Sequence, residues 1–142
     1  MRRKDLEQLL DEELEVLRAE LDLAGTGIHV DRKGSVIFLA FEQGPDGRSG
    51  LFKLDCKGFD AQPPSVTMVS PFTGDVLPIG SWTPGVAHSI HPVVHRPFVC
   101  LQGIAEYHNH PSHLGDSWDR YRHRFRIPQT IKGLLKKAGV LK

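Results

Sequence analysis

The chain has 142 residues, a formal net charge of +1 and only two cysteines. This length is sufficient for one domain with a hydrophobic core that needs no disulfide or metal, so we expect a single domain over residues 1–142. The near-neutral charge argues against nucleic acid as a partner, and the sequence has no apolar run of the roughly 18 residues that span a membrane. The first residues also lack an apolar signal core. We therefore expect a soluble, cytoplasmic protein with free thiols and no membrane partner.

Two amphipathic helices are predicted, one near each end of the chain. Leucines at three- and four-residue spacing, with charged residues between them, predict the first helix from Asp5 to about Leu23. Pro128 is a favourable first residue for the second helix, which we predict to run to Ala138 with Gly139 as its C-terminal cap. Its apolar residues share one face and its lysines the other.

Four short strands separated by turn sequences are predicted between these helices. Their apolar runs are Ile28–Val30, Ser35–Phe41, Leu51–Cys56 and Val66–Val69. We expect a turn at Asp31–Gly34 and an antiparallel meander, which makes the fold class α+β. Cys56 alternates with Leu54 and Phe52, so it is predicted to be an inert core residue.

Residues 70–115 contain six prolines and show no clear helix or strand pattern. An irregular segment of this length inside a compact domain is usually functional, and this one contains Cys100 and a run rich in histidine. Arg120, Arg122, Arg124 and Arg126 follow, each separated by one residue. This alternation is typical of an edge strand with one solvated face, although it is also compatible with phosphate binding.

Three motifs in this order resemble the ubiquitin-conjugating enzyme family. The segment from Phe59 to Met68, FDAQPPSVTM, is similar to the family's Tyr-Pro-x-x-Pro-Pro-x-Val-x-Phe entry to its fourth strand. His91-Pro92 precedes Cys100-Leu101 by nine residues, as the family's His-Pro-Asn precedes its active Cys-Leu. Pro128–Leu135, PQTIKGLL, is similar to the helix that follows the family's active site. The resemblance implies a fold of an N-terminal helix, a four-stranded antiparallel meander, a long irregular active-site segment and a closing helix.

The resemblance implies that Cys100 is a nucleophile. It would accept a ubiquitin-like protein from an activating enzyme, hold it as a thioester, and transfer it to an amine of a target protein, without a cofactor. By the same resemblance His91 belongs to the active site, and the N-terminal helix with its basic residues is the expected docking surface for the activating enzyme. Solvated terminal charge accounts equally well for those basic residues.

The chain departs from the family pattern at three places. Val93 stands where the family has its asparagine, and about ten extra residues separate Cys100 from the closing helix. That insert contains Tyr107–His113, YHNHPSH, and the chain ends at Lys142 without the family's later helices. These departures indicate a divergent member of prokaryotic type.

The histidine-rich insert is the place where a substitute for the missing asparagine is expected. Asn109 is a candidate donor for the developing oxyanion, and His108, His110 or Asp116 are candidates to orient or deprotonate the nucleophile. Arg96, His95 or the downstream histidines are candidates to favour the thiolate form of Cys100.

Three alternatives remain open from the sequence. Cys100 with His108, His110 and His113, or with the upstream histidines His88, His91 and His95, offers enough ligands for zinc, although the spacing is not that of a regular structural site. A second alternative is a non-catalytic module that only binds ubiquitin-like proteins. Finally, the apolar neighbours Val99 and Leu101 are compatible with a buried, unreactive cysteine at position 100.

Overall fold

The computed structural model describes residues 2–142, which form four helices, two short 3-10 turns and six strands. The helices are α1 (Arg3–Glu20), α2 (Ala105–His108), α3 (Trp118–Tyr121) and α4 (Ile127–Lys137). The strands are β1 (Ile28–Lys33), β2 (Val36–Phe41), β3 (Gly50–Asp55), β4 (Ser65–Met68), β5 (Ala87–Ile90) and β6 (Pro97–Val99). No helix within residues 2–142 combines the length and apolar character needed to cross a membrane.

The first four strands form one antiparallel sheet in the order β1-β2-β3-β4, so the predicted meander and the α+β class are confirmed. Leu39 of β2 lies opposite Val30 of β1 and Phe52 of β3. The predicted turn at Asp31–Gly34 is wrong, because β1 continues to Lys33, which pairs with Val36. The reversal is therefore tighter than expected, and Gly34 adopts the positive φ of 60° that it requires.

Both predicted long helices are present, with bounds shifted by a few residues. The first begins at Arg3 and ends at Glu20, and the last begins at Ile127, one residue before Pro128. Gly139, with a φ of 73°, follows the last helix, and its N–H donates to the carbonyl of Lys136. The two helices contact each other, and their buried residues join the inward side chains of the sheet in one core.

Residues 70–115 are more regular than the sequence indicated. Strands β5 and β6 form a separate antiparallel pair with an irregular register, and α2 follows directly after Cys100 and its neighbours. The segment is attached to the main sheet through β6 and α2, which both contact β4. The N–H of Ala105 also donates to the carbonyl of Pro64 at 2.8 Å. These contacts are long-range, and a local sequence pattern does not reveal them.

The predicted edge strand over Arg120–Arg126 is wrong. The segment begins inside α3 and continues as a turn, because Arg122 N–H donates to the carbonyl of Trp118 at 2.8 Å. Arg122 and Arg126 both bind the carboxylate of Asp60 at 3.1 Å. They therefore tie the loop after β3 to the start of α4, and the arginines do not form one free basic stripe.

Candidate active site

Cys100 lies where the chain leaves the core at the end of β6. The three residues of β6 are buried, whereas Cys100 itself is exposed. The expectation that its apolar neighbours keep it buried is therefore wrong. Val99 contributes to the core and Leu101 is half-buried against α4, near Gly133, so the neighbours hold the backbone while the thiol faces solvent.

A buried carboxylate in α2 fixes this segment against the main sheet. Glu106 is only 2% exposed and accepts hydrogen bonds from the N–H of Val66 at 2.8 Å and from the hydroxyl of Ser65 at 2.6 Å. Arg96 forms an ion pair with the same carboxylate at 3.1 Å. Because the carboxylate is paired with a cation and two further donors, its burial is tolerated. It links β4, the residue before β6 and α2.

The thiol of Cys100 has an imidazole beside it. Cys100 Sγ and His113 Nε2 are 3.7 Å apart, within the reach of a hydrogen bond that involves sulfur. His113 belongs to the 3-10 turn Pro111–His113, which brings it back to Cys100 across thirteen residues of chain. A thiol beside an imidazole that can accept its proton is an arrangement that produces a nucleophilic thiolate.

The ring of Tyr107 packs against the ring of His113. The two rings are stacked, with centroids 4.0 Å apart and an interplanar angle of 15°. The hydroxyl of Tyr107 donates to Asp116 at 2.6 Å, and Tyr121 and Gln102 donate to the same carboxylate at 2.8 and 3.2 Å. Asp116 thus acts through Tyr107 on the position of His113, while the thiol has its hydrogen-bond contact with His113.

The charge states of Tyr107 and Asp116 follow from the same hydrogen bonds. Donation to Asp116 is the main reason why the pKa of Tyr107 is raised to about 12. The hydrogen bonds from Tyr107 and Tyr121 are the main cause of the lowered pKa of Asp116. Near neutral pH the structure therefore contains an ionised Asp116 that accepts hydrogen bonds from the hydroxyls of Tyr107 and Tyr121.

His91 and His108 were predicted as site residues, but their ring nitrogens are occupied by backbone groups. His91 is fully buried; its Nδ1 accepts from the N–H groups of Val93 and Val94, so Nε2 carries the proton donated to the Glu106 carbonyl at 2.8 Å. His108 Nε2 accepts from the N–H of Gly103 at 3.1 Å, so its Nδ1–H donates to the carbonyl of Asp116 at 2.7 Å. Both rings hold loops in place and are not free to accept a proton from Cys100.

His110 and Asn109, the other predicted residues of the insert, form no hydrogen bond with the Cys100 thiol within residues 2–142. His110 Nδ1 accepts the N–H and hydroxyl of Ser112 at 3.1 and 2.7 Å, and its ring stacks on Phe98. Asn109 is exposed at the end of α2 and lines a separate cavity with residues that follow β3 and precede α3. Among the described residues, no hydrogen bond joins the Asn109 side chain to Cys100.

The zinc alternative has little geometric support. Within residues 2–142 no group of three or more His, Cys, Asp or Glu side chains is arranged to hold a metal ion. Cys100 and His113 are near each other, but His108 and His91 already use both ring nitrogens, and His110 uses one. A tetrahedral zinc site needs four such donors around one point.

The second cysteine has the opposite environment. Cys56 is fully buried at the end of β3, and its thiol faces the carbonyl of Leu54 at 3.7 Å. Burial raises the pKa of the Cys56 thiol to about 12. The prediction that Cys56 is a core residue is confirmed, whereas its inertness stays a prediction, and both cysteines are free thiols as expected.

Two residues of the site were not singled out by the sequence. His113 was predicted only as one of several downstream histidines that could favour the thiolate and as an alternative zinc ligand, and Tyr107 had no predicted role. The relevant signal was the turn-forming His110-Pro111-Ser112-His113, because a short turn after α2 returns the chain toward Cys100. Its direction depends on the stacking of His110 on Phe98, which the sequence alone does not show.

Comparison with known proteins relates the segment around Cys100 to a different family from the one that the motifs implied. Residues 88–134 match the sequence model of the Y4jH-like family, described as the Y4jH family. This match contains Cys100, Tyr107, His113 and Asp116. A relative, the uncharacterized protein y4jH of Sinorhizobium fredii (strain NBRC 101917 / NGR234), is 26% identical over 113 residues. The alignment covers 61% of this chain and 55% of the relative, so the chain spans about half the length of the curated relative it matches.

The identification as a divergent prokaryotic ubiquitin-conjugating enzyme is therefore wrong. The segment that carried the His-Pro and Cys-Leu motifs matches the Y4jH-like family, which is a separate family from the ubiquitin-conjugating enzymes. Short motifs around prolines and a cysteine occur in unrelated chains, since prolines recur wherever a loop enters a strand. What remains is the α+β fold and the geometry around Cys100.

Proposed function

We propose that the protein is a cysteine acyl transferase that carries a ubiquitin-like protein as a thioester on Cys100. It accepts this protein from an activating enzyme and transfers it to an amine of a target. The observation that carries the proposal is the exposed Cys100 thiol with His113 Nε2 at 3.7 Å. A buried or solitary cysteine would lack either access or a proton acceptor.

The loading step is an exchange of thioesters. The Cys100 sulfur attacks the carbonyl carbon of the donor thioester, and a new S–C bond forms while the bond to the donor sulfur breaks. His113 accepts the proton of the Cys100 thiol and returns it to the departing thiolate. No oxidant or cofactor is needed, because one thioester replaces another.

The transfer step releases the acyl group to an amine. The neutral amine attacks the thioester carbon, an N–C bond forms, and Cys100 leaves as a thiolate. The proton lost by the amine passes to His113 Nε2, which can return it to Cys100. The Tyr107 ring holds His113 in place through both steps, and Asp116 holds Tyr107.

The choice of a ubiquitin-like protein as the acyl group depends on the architecture. An N-terminal helix, a four-stranded antiparallel meander, a cysteine-bearing segment and a closing helix are compatible with a fold like that of ubiquitin-conjugating enzymes. This finer description of the fold is part of the proposal. The position of Cys100 after the meander and before the closing helix supports it.

The proposal is tested with ubiquitin that carries a chemically prepared C-terminal thioester of 2-mercaptoethanesulfonate. Incubation with the full chain should yield a one-to-one adduct by intact mass, and the adduct should be cleaved by hydroxylamine. Cys100→Ala retains Cys56 as an internal control, and no adduct is expected from it because Cys56 is buried. An adduct that persists in Cys100→Ala contradicts the proposal.

A second arm separates a carrier from a hydrolase and from a passive binder. The isolated adduct is incubated with and without free lysine, and its decay and the lysine conjugate are followed by mass. A carrier should decay faster with lysine and form the conjugate. Decay at one rate in both samples, or wild-type protein that binds ubiquitin without forming an adduct, contradicts transfer.

A further inference from the structure

One aromatic side chain far from Cys100 is almost completely exposed. Phe72 has 95% of its surface accessible, whereas an average phenylalanine is largely buried. It lies at the tip of the turn between Ser70 and Asp75, which follows β4. Exposing a whole phenyl ring to water is unfavourable, so the position calls for a reason.

The turn that presents Phe72 is well ordered. Ser70 N–H donates to the carbonyl of Asp75, and Gly74 N–H donates to the carbonyl of Ser70, both at 2.9 Å. The Ser70 hydroxyl accepts the N–H groups of Phe72 and Thr73 at 3.2 and 3.3 Å. A bridge between Val69 and Val76 closes the base of the turn. The ring is therefore held outward by a defined backbone conformation.

An apolar cavity lies directly beside this turn. It has a volume of about 360 Å³, and its wall includes Ala40, Leu51, Val69, Pro71 and Leu77. Pro71 contributes to the wall, while the ring of the next residue, Phe72, lies outside in solvent. A projecting apolar side chain and a cavity of a size to hold one are thus adjacent on one surface.

The charges around this surface are mixed. The face of the sheet that bears Phe38 and Ala40 carries Asp31 and Lys33 on β1 and Lys53 and Asp55 on β3. The cavity wall also includes His29 and Glu42, which pair at 3.0 Å. Acidic and basic side chains therefore alternate on this surface. A surface that binds a strongly charged partner would carry one sign, whereas this pattern allows two copies of the same face to match unlike charges.

We propose that this surface mediates self-association, with Phe72 of each copy inserted into the cavity beside Pro71 of the other. Such an interface is isologous, because a two-fold arrangement fills both cavities with both rings at once. The formal net charge of +1 per chain adds little repulsion between the copies. This proposal concerns a surface that the acyl-transfer proposal does not use.

Sedimentation equilibrium of the full chain tests the proposal. The wild type should show a reversible monomer–dimer equilibrium, and Phe72→Ala should weaken dimerisation by at least about a hundredfold, since each dimer loses two buried aromatic contacts. Leu114→Ala is the matched control, because Leu114 is an exposed apolar residue elsewhere, with 70% of its surface accessible. The Tm of dilute Phe72→Ala should equal that of the wild type, because the ring makes few contacts within its own chain.

A mixing experiment tests the reciprocal insertion itself. Ala40→Phe fills the cavity and should also weaken the dimer. An equimolar mixture of Phe72→Ala and Ala40→Phe should associate more tightly than either alone, because one intact ring meets one intact cavity. A wild type that stays monomeric up to about 1 mM overturns the proposal, and this face would then serve a different partner. Dimers unaffected by Phe72→Ala, or a mixture that fails to regain association, also overturn it.

Discussion

The two cysteines of this chain show how strongly position controls the chemistry of one side chain. Cys56 directly follows β3 inside the core, where burial raises its pKa to about 12 and its thiol faces a backbone carbonyl. Cys100 directly follows β6 where the chain leaves the core, and its thiol faces solvent and an imidazole. The direct neighbours of Cys56, Asp55 and Lys57, are charged, whereas those of Cys100, Val99 and Leu101, are apolar. The difference teaches that the polarity of the flanking residues does not indicate which thiol is exposed. The direction in which the chain leaves its strand does.

The largest expected effect is on alkylation. Iodoacetamide should modify Cys100 more than about ten-thousandfold faster than Cys56, because a reagent reaches Cys56 only after the core opens. Intact mass should show one modified site in the wild type and none in Cys100→Ala over the same period. Similar rates at both positions would remove the contrast between the two cysteines.

The stability of the contacts that hold the Cys100 segment against the sheet should depend on Glu106. Glu106→Ala leaves Arg96, the Ser65 hydroxyl and the Val66 N–H without their shared acceptor, so we expect a loss of about 3–5 kcal/mol in the free energy of unfolding. Urea titration followed by circular dichroism measures it. Glu42→Ala is the control, because the Glu42–His29 pair is exposed and should change stability by less than about 1 kcal/mol. Equal effects would show that the buried carboxylate does not anchor the segment.

Cys56 should contribute more than Cys100 to the free energy of unfolding, which is the reverse of their expected order in reactivity. Cys56→Ala should lower the free energy of unfolding by about 1–2 kcal/mol because it leaves space in the core, whereas Cys100→Ala should change it by less than about 0.5 kcal/mol. Urea titration of both variants gives this difference. A larger loss from Cys100→Ala than from Cys56→Ala would mean that Cys100 has a structural role.

A smaller effect on stability is expected at Asp60, which ties the loop after Cys56 to the chain that follows Cys100. Burial alone would raise the pKa of Asp60, but the hydrogen bond from Arg126 and the charges of Arg122 and Arg126 outweigh it and lower the pKa. The stabilisation is therefore complete above about pH 4 and is lost as pH falls through the lower native pKa. Asp60→Asn should cost about 1 kcal/mol at neutral pH and progressively less as pH falls through the native pKa of Asp60, as measured by urea titrations across the acidic range. A cost that does not change with pH would exclude the ion pairs as its source.

The sequence predicted the parts of the fold whose pattern is local. The leucine spacing of α1, the apolar run of β2, the alternation along β3 and the apolar face of α4 each lie within one element, and these elements are present. The conformation of the segment after Val69 depends on single long-range contacts, such as the hydrogen bond from His91 Nε2 to the Glu106 carbonyl. No periodicity in the sequence encodes such contacts. In the site, Cys100 was predicted, but His113 was not distinguished from the other downstream histidines as its partner, because their approach depends on one turn and one stacked tyrosine.

The most direct measurement is the rate at which Cys100 accepts the acyl group from the ubiquitin thioester in the wild type and in His113→Ala, from about pH 6 to pH 9.5. His123→Ala is the control, since His123 is exposed and lies outside the site. We predict that His113→Ala is slower than the wild type by about 10- to 100-fold near pH 7, and that the rates converge above roughly pH 9, where a simple thiol ionises without help. Equal rates of the wild type and His113→Ala near pH 7 would contradict the proposal that Cys100 and His113 act together as the nucleophilic pair.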